Sequence, residues 1–513
     1  MVRFSSCLES VFVDAAPARP IPSGAIDPST GRLFLTVFPS IMLPMFMAVA
    51  DQTIVASALP AIAAETGDVE RISWIVVSYL LASTIAAPVY GYLGDLLGRR
   101  RLMFVALTIF VAASLLCAAS PTIPLLSAAR VLQGLGGGGL MSLSQALIGE
   151  VVPTRQRGHF QGYLAAVATA SSAFGPVAGG YLTEHFGWRS IFLVNAPLGL
   201  AAIFLTFRLQ SRPVARREGW RFDTLGLVLL IAVVVPVLLA LQLLERPHAA
   251  ELAGAGALFV FSALATVALV RWEGGQAASL LPIALLRQKT VWMSNLLVVF
   301  HGAALTSLVA FIPLFLRVRH GASASESGFL LLPITVGIGA GSIFTGRMVT
   351  RTGRTLAFPS YGLIGATVFL LIFAWESPTL SLMPTAVLLG AASLCMGTVM
   401  SVVQVTVQGA AGTKLLGAGA AAVQLSRSVG AALGTALFGV VVFAILFWVN
   451  PDAGALFGRV VDAGPAALDT LSASARNAFV AELGDAFRAA FIMVGVFTTC
   501  GAVLAWSIPS RRI

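Results

Sequence analysis

The chain has 513 residues, of which 58% are hydrophobic and only 11% are charged. Soluble proteins carry about 25% charged residues, so most of this chain must face lipid rather than water. Lysine and arginine together number 32, against 22 for aspartate and glutamate. In so apolar a chain this excess is typical of short basic cytoplasmic loops, whereas a nucleic-acid-binding protein would concentrate it in one patch.

Fourteen apolar segments are long enough to cross a bilayer as helices. A helix needs about 20 residues to span a hydrocarbon core of about 30 Å, and continuous apolar runs favour helices over the alternating strands of a barrel. The segments are 34–58, 73–93, 102–120, 123–149, 159–182, 189–208, 224–244, 252–272, 291–316, 326–349, 356–375, 380–408, 416–448 and 487–508. We therefore predict an all-α polytopic membrane protein with 14 transmembrane helices.

The basic residues predict how these segments are oriented. With the amino terminus inside, 22 of the 32 basic residues fall in cytoplasmic segments, eight in outer loops and two within spans. This bias follows the positive-inside rule. It predicts a multi-pass protein of a bacterial inner membrane with both termini in the cytoplasm. Because the charge is spread over many short loops, we expect no nucleic-acid partner.

A repeated loop sequence divides the chain into two equivalent parts. Residues 91–101, after the second span, and residues 346–354, after the tenth, both carry two glycines seven positions apart followed by arginine. Parallel repeats of this kind are the plan of major facilitator transporters. We predict two six-helix halves plus two inserted helices. The predicted domains are a disordered cytoplasmic tail at 1–33, six-helix bundles at 34–208 and 291–513, and a linker with two extra helices at 209–290.

Two ionisable residues lie well inside predicted spans of the first half. Asp51 is the only one of the 22 acidic residues in such a position, where a charge costs about 3 kcal/mol on insertion scales. Burial disfavours the ionised carboxylate, which suits a group that takes up and releases protons. Arg130 stays charged and can stabilise a nearby carboxylate. A permanent structural ion pair, or contact of Arg130 with backbone carbonyls or Gln133, is the alternative.

Other residues are candidates for a substrate cavity near the middle of the membrane. Arg427 precedes Gly430 and Gly434, a small-residue packing face, so packing and substrate contact are both open for it. His301 stands alone on the ninth span and fits packing or a pore better than a proton relay. Methionines in the first span suit an adaptable pocket or ordinary packing. The candidate cavity residues are Met47, Gln133, Gln145, His301, Gln424 and Arg427.

Five motifs, in order, resemble those of the fourteen-spanner drug:proton antiporters of the major facilitator superfamily (the QacA/EmrB type). Residues 91–101 are similar to the superfamily's cytoplasmic loop motif, and residues 126–139 resemble the proton-transfer motif of helix four. Residues 175–180 resemble the antiporter motif of helix five. Residues 51–60 and 188–199 resemble the motifs of helices one and six.

The resemblance implies a proton-coupled antiporter that exports small hydrophobic or cationic compounds by alternating access, which is multidrug efflux. It implies that Asp51 and Arg130 couple protons to transport and that the helix-five motif limits leak. It also implies a latch between the halves, with Asp95 bound at the start of the thirteenth helix near Gly417. The antiporter-motif residues are Gly175, Pro176, Gly179 and Gly180, and the latch residues are Gly91, Asp95, Gly98, Arg99 and Arg100.

Three positions depart from the pattern and several alternatives stay open. Ala56 stands where many relatives have a polar residue, and Ser171 begins the helix-five motif where glycine is usual. Thr350 replaces the acidic residue of the second loop copy, so we expect a weaker or differently made second latch. A dedicated exporter of one endogenous metabolite, such as an antibiotic or siderophore, is the alternative function. Without catalytic, metal or Walker A motifs, we expect no enzyme and no cofactor, and a proton gradient as the energy source. The expected partners are a small-molecule substrate and the bilayer, with a periplasmic adaptor and outer-membrane channel left open.

Overall fold

The structure is a computed structural model whose described residues form fourteen long helices, besides a 3-10 turn at Thr154–Gln156 and a one-turn helix at Ile283–Leu286. The described residues are 38–68, 71–209, 222–244, 249–276, 279–320, 324–377, 380–450, 453–454, 456–457 and 473–509. The predicted tail at 1–33 lies outside them. We number the helices α1 to α14, and a helix interrupted by one residue keeps a single number.

The helices are α1 (Phe38–Thr66), α2 (Trp74–Leu97), α3 (Arg99–Ala119), α4 (Ile123–Val151), α5 (Arg157–Phe186), α6 (Ser190–Leu193 and Asn195–Phe207), α7 (Thr224–Leu243), α8 (Ala249–Gly274), α9 (Lys289–His320), α10 (Ala324–Thr352), α11 (Ala357–Glu376), α12 (Leu382–Met396 and Thr398–Ala411), α13 (Leu416–Val449) and α14 (Ala473–Ser507).

Every predicted span overlaps one of these helices. Twelve helices in the described residues are long and apolar enough to cross a membrane by length and composition. The other two, α4 and α5, have 29 and 30 residues, but glycine, serine and glutamine make them less apolar. The described residues contain no β-strand. The chain is therefore an all-helical multi-pass membrane protein, while the count of fourteen spans stays a prediction.

Hydrophobic packing separates the helices into two halves. Two clusters of buried side chains draw only on residues 38–209 and include α1 to α6. Two others draw only on residues 285–508, which include α9 to α14. Lipid tails are as apolar as these side chains, so the clusters are held by close van der Waals contact rather than by exclusion from water.

The first inserted helix, α7, lies at the seam between the halves, and the second, α8, packs against α7. α7 and α8 pack on each other, and Leu230, Val234 and Leu238 of α7 are buried. The same cluster includes Leu81 of α2, in the first half, and Leu425 of α13, in the second half. α7 therefore contacts both halves.

The halves approach each other closely at one end of the bundle, which we call the Asp95 end. A Cβ on Gly91 of α2 would lie 2.6 Å from the carbonyl oxygen of Gly417 on α13. A Cβ on Gly162 of α5 would lie 2.5 Å from the carbonyl oxygen of Ser342 on α10. These glycines let backbones touch where any side chain would separate the halves. The opposite end, where α1 finishes, we call the Glu65 end.

We expect Gly434→Ala to destabilise the second half. A Cβ on Gly434 would overlap the backbone of Ala303 on α9, whereas a Cβ on Gly409 of α12 would have nothing within 4 Å. Overpacking costs about 1–3 kcal/mol, so Gly434→Ala should lower the melting temperature of the purified protein by several degrees. Gly409→Ala should leave it unchanged or raise it slightly, because alanine favours a helix by about 1 kcal/mol over glycine. Equal shifts in the two variants would contradict the packing described here.

Candidate functional site

A buried polar cluster joins four helices of the first half. Asp51 of α1 and Arg130 of α4 form an ion pair at 2.5 Å, and their side chains are at most 1% exposed. Gln133 Nε2 of α4 and Asn195 Nδ2 of α6 each donate to Asp51 Oδ1 at 2.8 Å. Gln133 Nε2 also donates to Ser114 Oγ of α3 at 2.8 Å. The carboxylate thus has three donors, and no water is required to satisfy it.

The Arg130 guanidinium also binds α2. Its Nε donates to the carbonyl oxygen of Ile75 at 3.1 Å, and its Cζ lies 4.1 Å from the centroid of the Tyr79 ring. Tyr79 in turn donates its hydroxyl to the carbonyl oxygen of Ala48 on α1 at 3.1 Å. A cation over an aromatic face is stabilised further when both are desolvated. The cluster therefore ties α2 to α1 and α4.

Glycines of α4 bring α2 close enough for these contacts. A Cβ on Gly134 would lie 2.5 Å from the carbonyl oxygen of Tyr79, and a Cβ on Gly138 would overlap the backbone of Ser83. Gly134 and Gly138 are four residues apart and share one face of the helix. This small-residue face explains why Arg130 can reach the backbone of the neighbouring helix.

Two residues predicted for the substrate cavity lie in the packed interior instead. Gln133 is 0% exposed and belongs to the ion-pair cluster, because it is one helical turn from Arg130 and faces the same way. Met47 is 1% exposed within the core of the first half. It precedes Asp51 by one turn of α1, so both side chains face inward.

The other predicted cavity residues lie between the halves or beside that seam. Gln424 Nε2 of α13 donates to Met141 Sδ of α4 at 3.3 Å, and Arg427 reaches the same sulfur. The carbonyl oxygen of Gln145 accepts from Gln408 Nε2 of α12 at 2.9 Å across the seam. His301 on α9 is 3% exposed, and its Nδ1 has no hydrogen-bond partner among the described residues.

The first loop copy connects the halves at the Asp95 end. Asp95 Oδ1 and Oδ2 accept from the backbone N–H groups of Gly417 at 2.9 Å and Ala418 at 3.0 Å, at the start of α13. Free N–H groups and the dipole make a helix N-terminus a good place for a carboxylate. Arg99 forms ion pairs with Asp95 and with Glu150 of α4. Asp95 is therefore bound by both halves at once.

Two of the predicted latch residues act within the first half only. Arg100 donates from Nε to the carbonyl oxygen of Thr206 at 3.2 Å and from Nη2 to that of Phe207 at 2.8 Å. It therefore binds the free carbonyls at the end of α6 instead of the other half, because it lies on a different face of α3 from Arg99. Gly98 joins α2 to α3 with a φ of 96°, a backbone conformation that favours glycine.

The second loop copy makes a similar contact with a neutral group. Thr350 Oγ1 of α10 accepts from the backbone N–H of His159 at 3.2 Å, in the first turn of α5. Arg347 Nη2 adds a hydrogen bond to Tyr163 Oη at 2.8 Å. The two loop copies thus each place an oxygen at the start of a helix in the opposite half. Only the first copy does so with a carboxylate.

The helix-five motif divides between two environments. A Cβ on Gly179 would lie 2.5 Å from the carbonyl oxygen of Ile54 on α1, and a Cβ on Gly175 would overlap the Thr53 side chain. Gly180 has nothing within 4 Å, and Pro176 is exposed. The motif therefore brings α5 against the part of α1 that follows Asp51.

A profile of the Major Facilitator Superfamily matches residues 41–435 of the chain. The chain belongs to this superfamily. It is a membrane transporter of small molecules, and the superfamily's members are not enzymes. The two halves, with their loop motif repeated at one end, agree with this assignment.

Several relatives of this superfamily member are bacterial transporters. The MFS-type transporter Rv1877 of Mycobacterium tuberculosis is 34% identical over 477 residues, which cover 91% of this chain and 68% of that protein. The multidrug transporter protein MdtP of Bacillus subtilis is 32% identical over 405 residues, or 79% of this chain and 74% of that protein. The crystal structure of the human organic anion transporter MFSD10 (TETRAN) aligns over 92% of this chain and 99% of its own with a TM-score of 0.62. At 14% identity this last likeness shows the fold alone.

The sequence analysis missed several polar residues of the site. Tyr79, Ser114 and Asn195 complete the ion-pair cluster, and Glu150 is the second partner of Arg99. Gln404 on α12 is 2% exposed with neither amide atom partnered among the described residues. The available signal was a polar side chain inside an apolar run, which does not say which partner it meets.

We expect Asp95→Ala to open the Asp95 end of this transporter. Hydrogen bonds to a charged acceptor contribute about 1.5–3 kcal/mol, so their loss should raise the open population roughly tenfold or more. Nitroxide labels at the exposed positions Arg101 and Lys414, in a cysteine-free background, would report the separation by electron–electron resonance. Asp68→Ala, a change at the far end of the bundle, is the control. An unchanged distance distribution in Asp95→Ala would show that the latch does not hold the halves together.

Within the helix-five motif we expect Gly179→Ala and Gly180→Ala to differ. The first substitution pushes α5 away from α1, while the second adds a methyl group to open space. If this contact seals the first half, Gly179→Ala should raise the passive proton permeability of proteoliposomes severalfold and Gly180→Ala should not. Equal permeability in both variants would remove the sealing role from this contact.

Proposed function

We propose that this transporter is a proton-coupled antiporter that exports small hydrophobic compounds by alternating access. The observation that carries the proposal is the buried cluster around Asp51. A carboxylate in the membrane interior is rare and usually functional. Arg130, Gln133 and Asn195 all bind its ionised form, so uptake of a proton must change the partners of several helices together.

Proton uptake would weaken the contacts that hold α2 in place. Neutral Asp51 no longer compensates the charge of Arg130, whose Nε and guanidinium face hold Ile75 and Tyr79 of α2. Asp95 lies near the other end of the same helix, about 30 Å from Ile75 at 1.5 Å per residue. α2 therefore provides a mechanical connection between the proton site and the latch.

The arrangement of the halves supports a direction for transport. By the positive-inside rule the Asp95 end is the cytoplasmic end, and it is the end at which the glycine contacts and the Asp95 hydrogen bonds close the seam. Closure at the cytoplasmic end is what an outward-facing state requires, and it supports this direction. From this state a proton would enter from outside, and its release to the cytoplasm would follow rearrangement of the halves.

The sequence predicts hydrophobic or cationic substrates, and relatives named as multidrug proteins support export of more than one compound. The names of the relatives refer to the substrates of those proteins and do not identify the substrate of this one. A dedicated exporter of one endogenous metabolite is therefore the alternative. A resistance profile across chemically unrelated compounds would favour multidrug efflux. Protection against a single compound would favour the alternative.

We expect Asp51→Asn to abolish proton movement while substrate binding persists. The purified protein would be reconstituted with a pH-sensitive dye inside the vesicles, and candidate hydrophobic dyes would be added outside. Asparagine keeps the size of the side chain but cannot exchange a proton. Inward movement of the added dye in exchange for protons makes the lumen more alkaline in the wild type, and this substrate-dependent alkalinisation should vanish in the variant. Glu65→Gln is a matched control, because Glu65 lies on the same helix and is half exposed in a pair with Arg189.

The outcomes separate a coupling role from a structural one. Proton movement lost in Asp51→Asn and kept in Glu65→Gln supports the proposal. Proton movement that persists in Asp51→Asn would make the Asp51 ion pair structural only. Substrate exchange without proton movement in the wild type would show transport driven by another ion.

A further inference from the structure

A positively charged side chain lies between the halves without a carboxylate partner in the part of the chain that the structure describes. Arg427 is ten residues beyond Gly417 on α13, which places it about 15 Å from the Asp95 end and so near the middle of a bilayer of about 30 Å. Among the described residues no carboxylate forms an ion pair with it. Its hydrogen bonds there run to Gln424 Oε1 at 3.3 Å and Met141 Sδ at 4.0 Å.

These two acceptors are weak for a guanidinium in the membrane. A thioether is a poor acceptor, and an amide oxygen carries no charge. Arg130 shows the contrast, because the same side-chain type is fully compensated by Asp51 within the first half. An intramembrane arginine that lacks such compensation usually faces a cavity or a ligand.

The summed charge of Asp51, Arg130 and Arg427 is positive whether Asp51 is ionised or protonated. Asp51 and Arg130 cancel each other when the carboxylate is ionised, which leaves the charge of Arg427. When Asp51 is protonated, both arginines are uncompensated. In a low-dielectric interior such a field attracts anions and repels cations.

His301 offers a second polar group beside Arg427. It lies on α9 next to Gly302, where a Cβ would come within 2.9 Å of the Arg427 carbonyl oxygen. Its ring is 3% exposed, interacts electrostatically with Arg427, and has an Nδ1 without a hydrogen-bond partner among the described residues. Met141 approaches from α4 in the other half. The group therefore combines a cation, an imidazole and a polarizable apolar side chain from both halves.

We propose that Arg427 binds the carboxylate or sulfonate of an amphiphilic organic anion, with His301 as a second polar contact and Met141 against the apolar body. The inference rests on the proposed export function, and it narrows the small hydrophobic substrates of that proposal to amphiphilic organic anions. Asp51 is enclosed within the first half, so substrate and proton do not meet. α4, which carries both Arg130 and Met141, connects the two sites.

The test compares three probes that share one body. Each has a dansyl fluorophore on a hexyl chain that ends in a carboxylate, a primary amide or a trimethylammonium group. Binding to the full-length purified protein and pH-driven transport in proteoliposomes would be measured for all three. We expect the wild type to prefer the carboxylate probe to the amide by about tenfold or more, and the ammonium probe to bind most weakly, because charge-assisted hydrogen bonds are the strong ones.

Variants assign that preference to Arg427. Arg427→Gln should reduce the carboxylate-to-amide ratio about tenfold, and Arg427→Lys should keep most of it because the positive charge remains. Arg71→Gln, which removes a charge from an exposed ion pair with Asp68, should leave the ratio unchanged. Melting temperatures would verify that each variant is folded. If Arg427→Gln is unfolded, Arg427→Met replaces it, because methionine also lacks the charge and should reduce the ratio in the same way.

Each remaining outcome contradicts a defined statement. A wild type that moves the amide or ammonium probe with protons but does not select the carboxylate keeps the export function and overturns the anion site. If the wild type selects the carboxylate probe through Arg427 but transport of that probe moves no protons, the anion site stands and proton coupling is overturned. Absence of binding and transport for all three probes overturns both. An unchanged carboxylate-to-amide ratio in folded Arg427→Gln removes Arg427 from substrate recognition.

Discussion

A carboxylate in the membrane interior needs a positive charge or hydrogen-bond donors to stabilise it. The helices of the first half are arranged to supply these groups to Asp51. Its partners come from α4 and α6, and Gln133 extends the network to α3. Arg130 then extends it to α2 through a backbone carbonyl and an aromatic face. One buried charge therefore sets the relative positions of five helices, α1 to α4 and α6. Protonation of Asp51 would therefore change contacts that involve all five helices.

The contact between the halves depends on two physical features of the Asp95 end. Glycines allow the helix backbones to touch, and an oxygen from each loop copy binds free N–H groups at the start of a helix in the opposite half. Asp95 supplies a charged acceptor and Thr350 a neutral one. Because hydrogen bonds to charged groups are about twice as strong, the two copies of one loop motif do not hold the halves equally.

Charge is distributed differently in the two halves. The first half keeps a neutral ion pair enclosed among its own helices, which suits proton binding away from the substrate. The second half presents Arg427 toward α4 without a carboxylate among the described residues. Helices α2 and α4 link these regions, since α2 connects the cluster to the latch and α4 carries both Arg130 and Met141. The proposed division of proton binding and substrate binding between the halves rests on this arrangement.

Much of the architecture was predictable from sequence because the lipid bilayer is the solvent. The thickness of the bilayer sets the length of each apolar run, and its low polarity makes charged residues rare within the run. Those rules located the helices, the repeated loop and the isolated residues Asp51, Arg130 and Arg427 one position at a time. The tertiary structure alone decided which partners the polar residues meet. Met47, predicted for the cavity, packs in the core of the first half, and Arg100, predicted for the latch, donates to carbonyl oxygens at the end of α6. Partner choice depends on the rotation of each helix and the distance to its neighbour, and no local pattern encodes either.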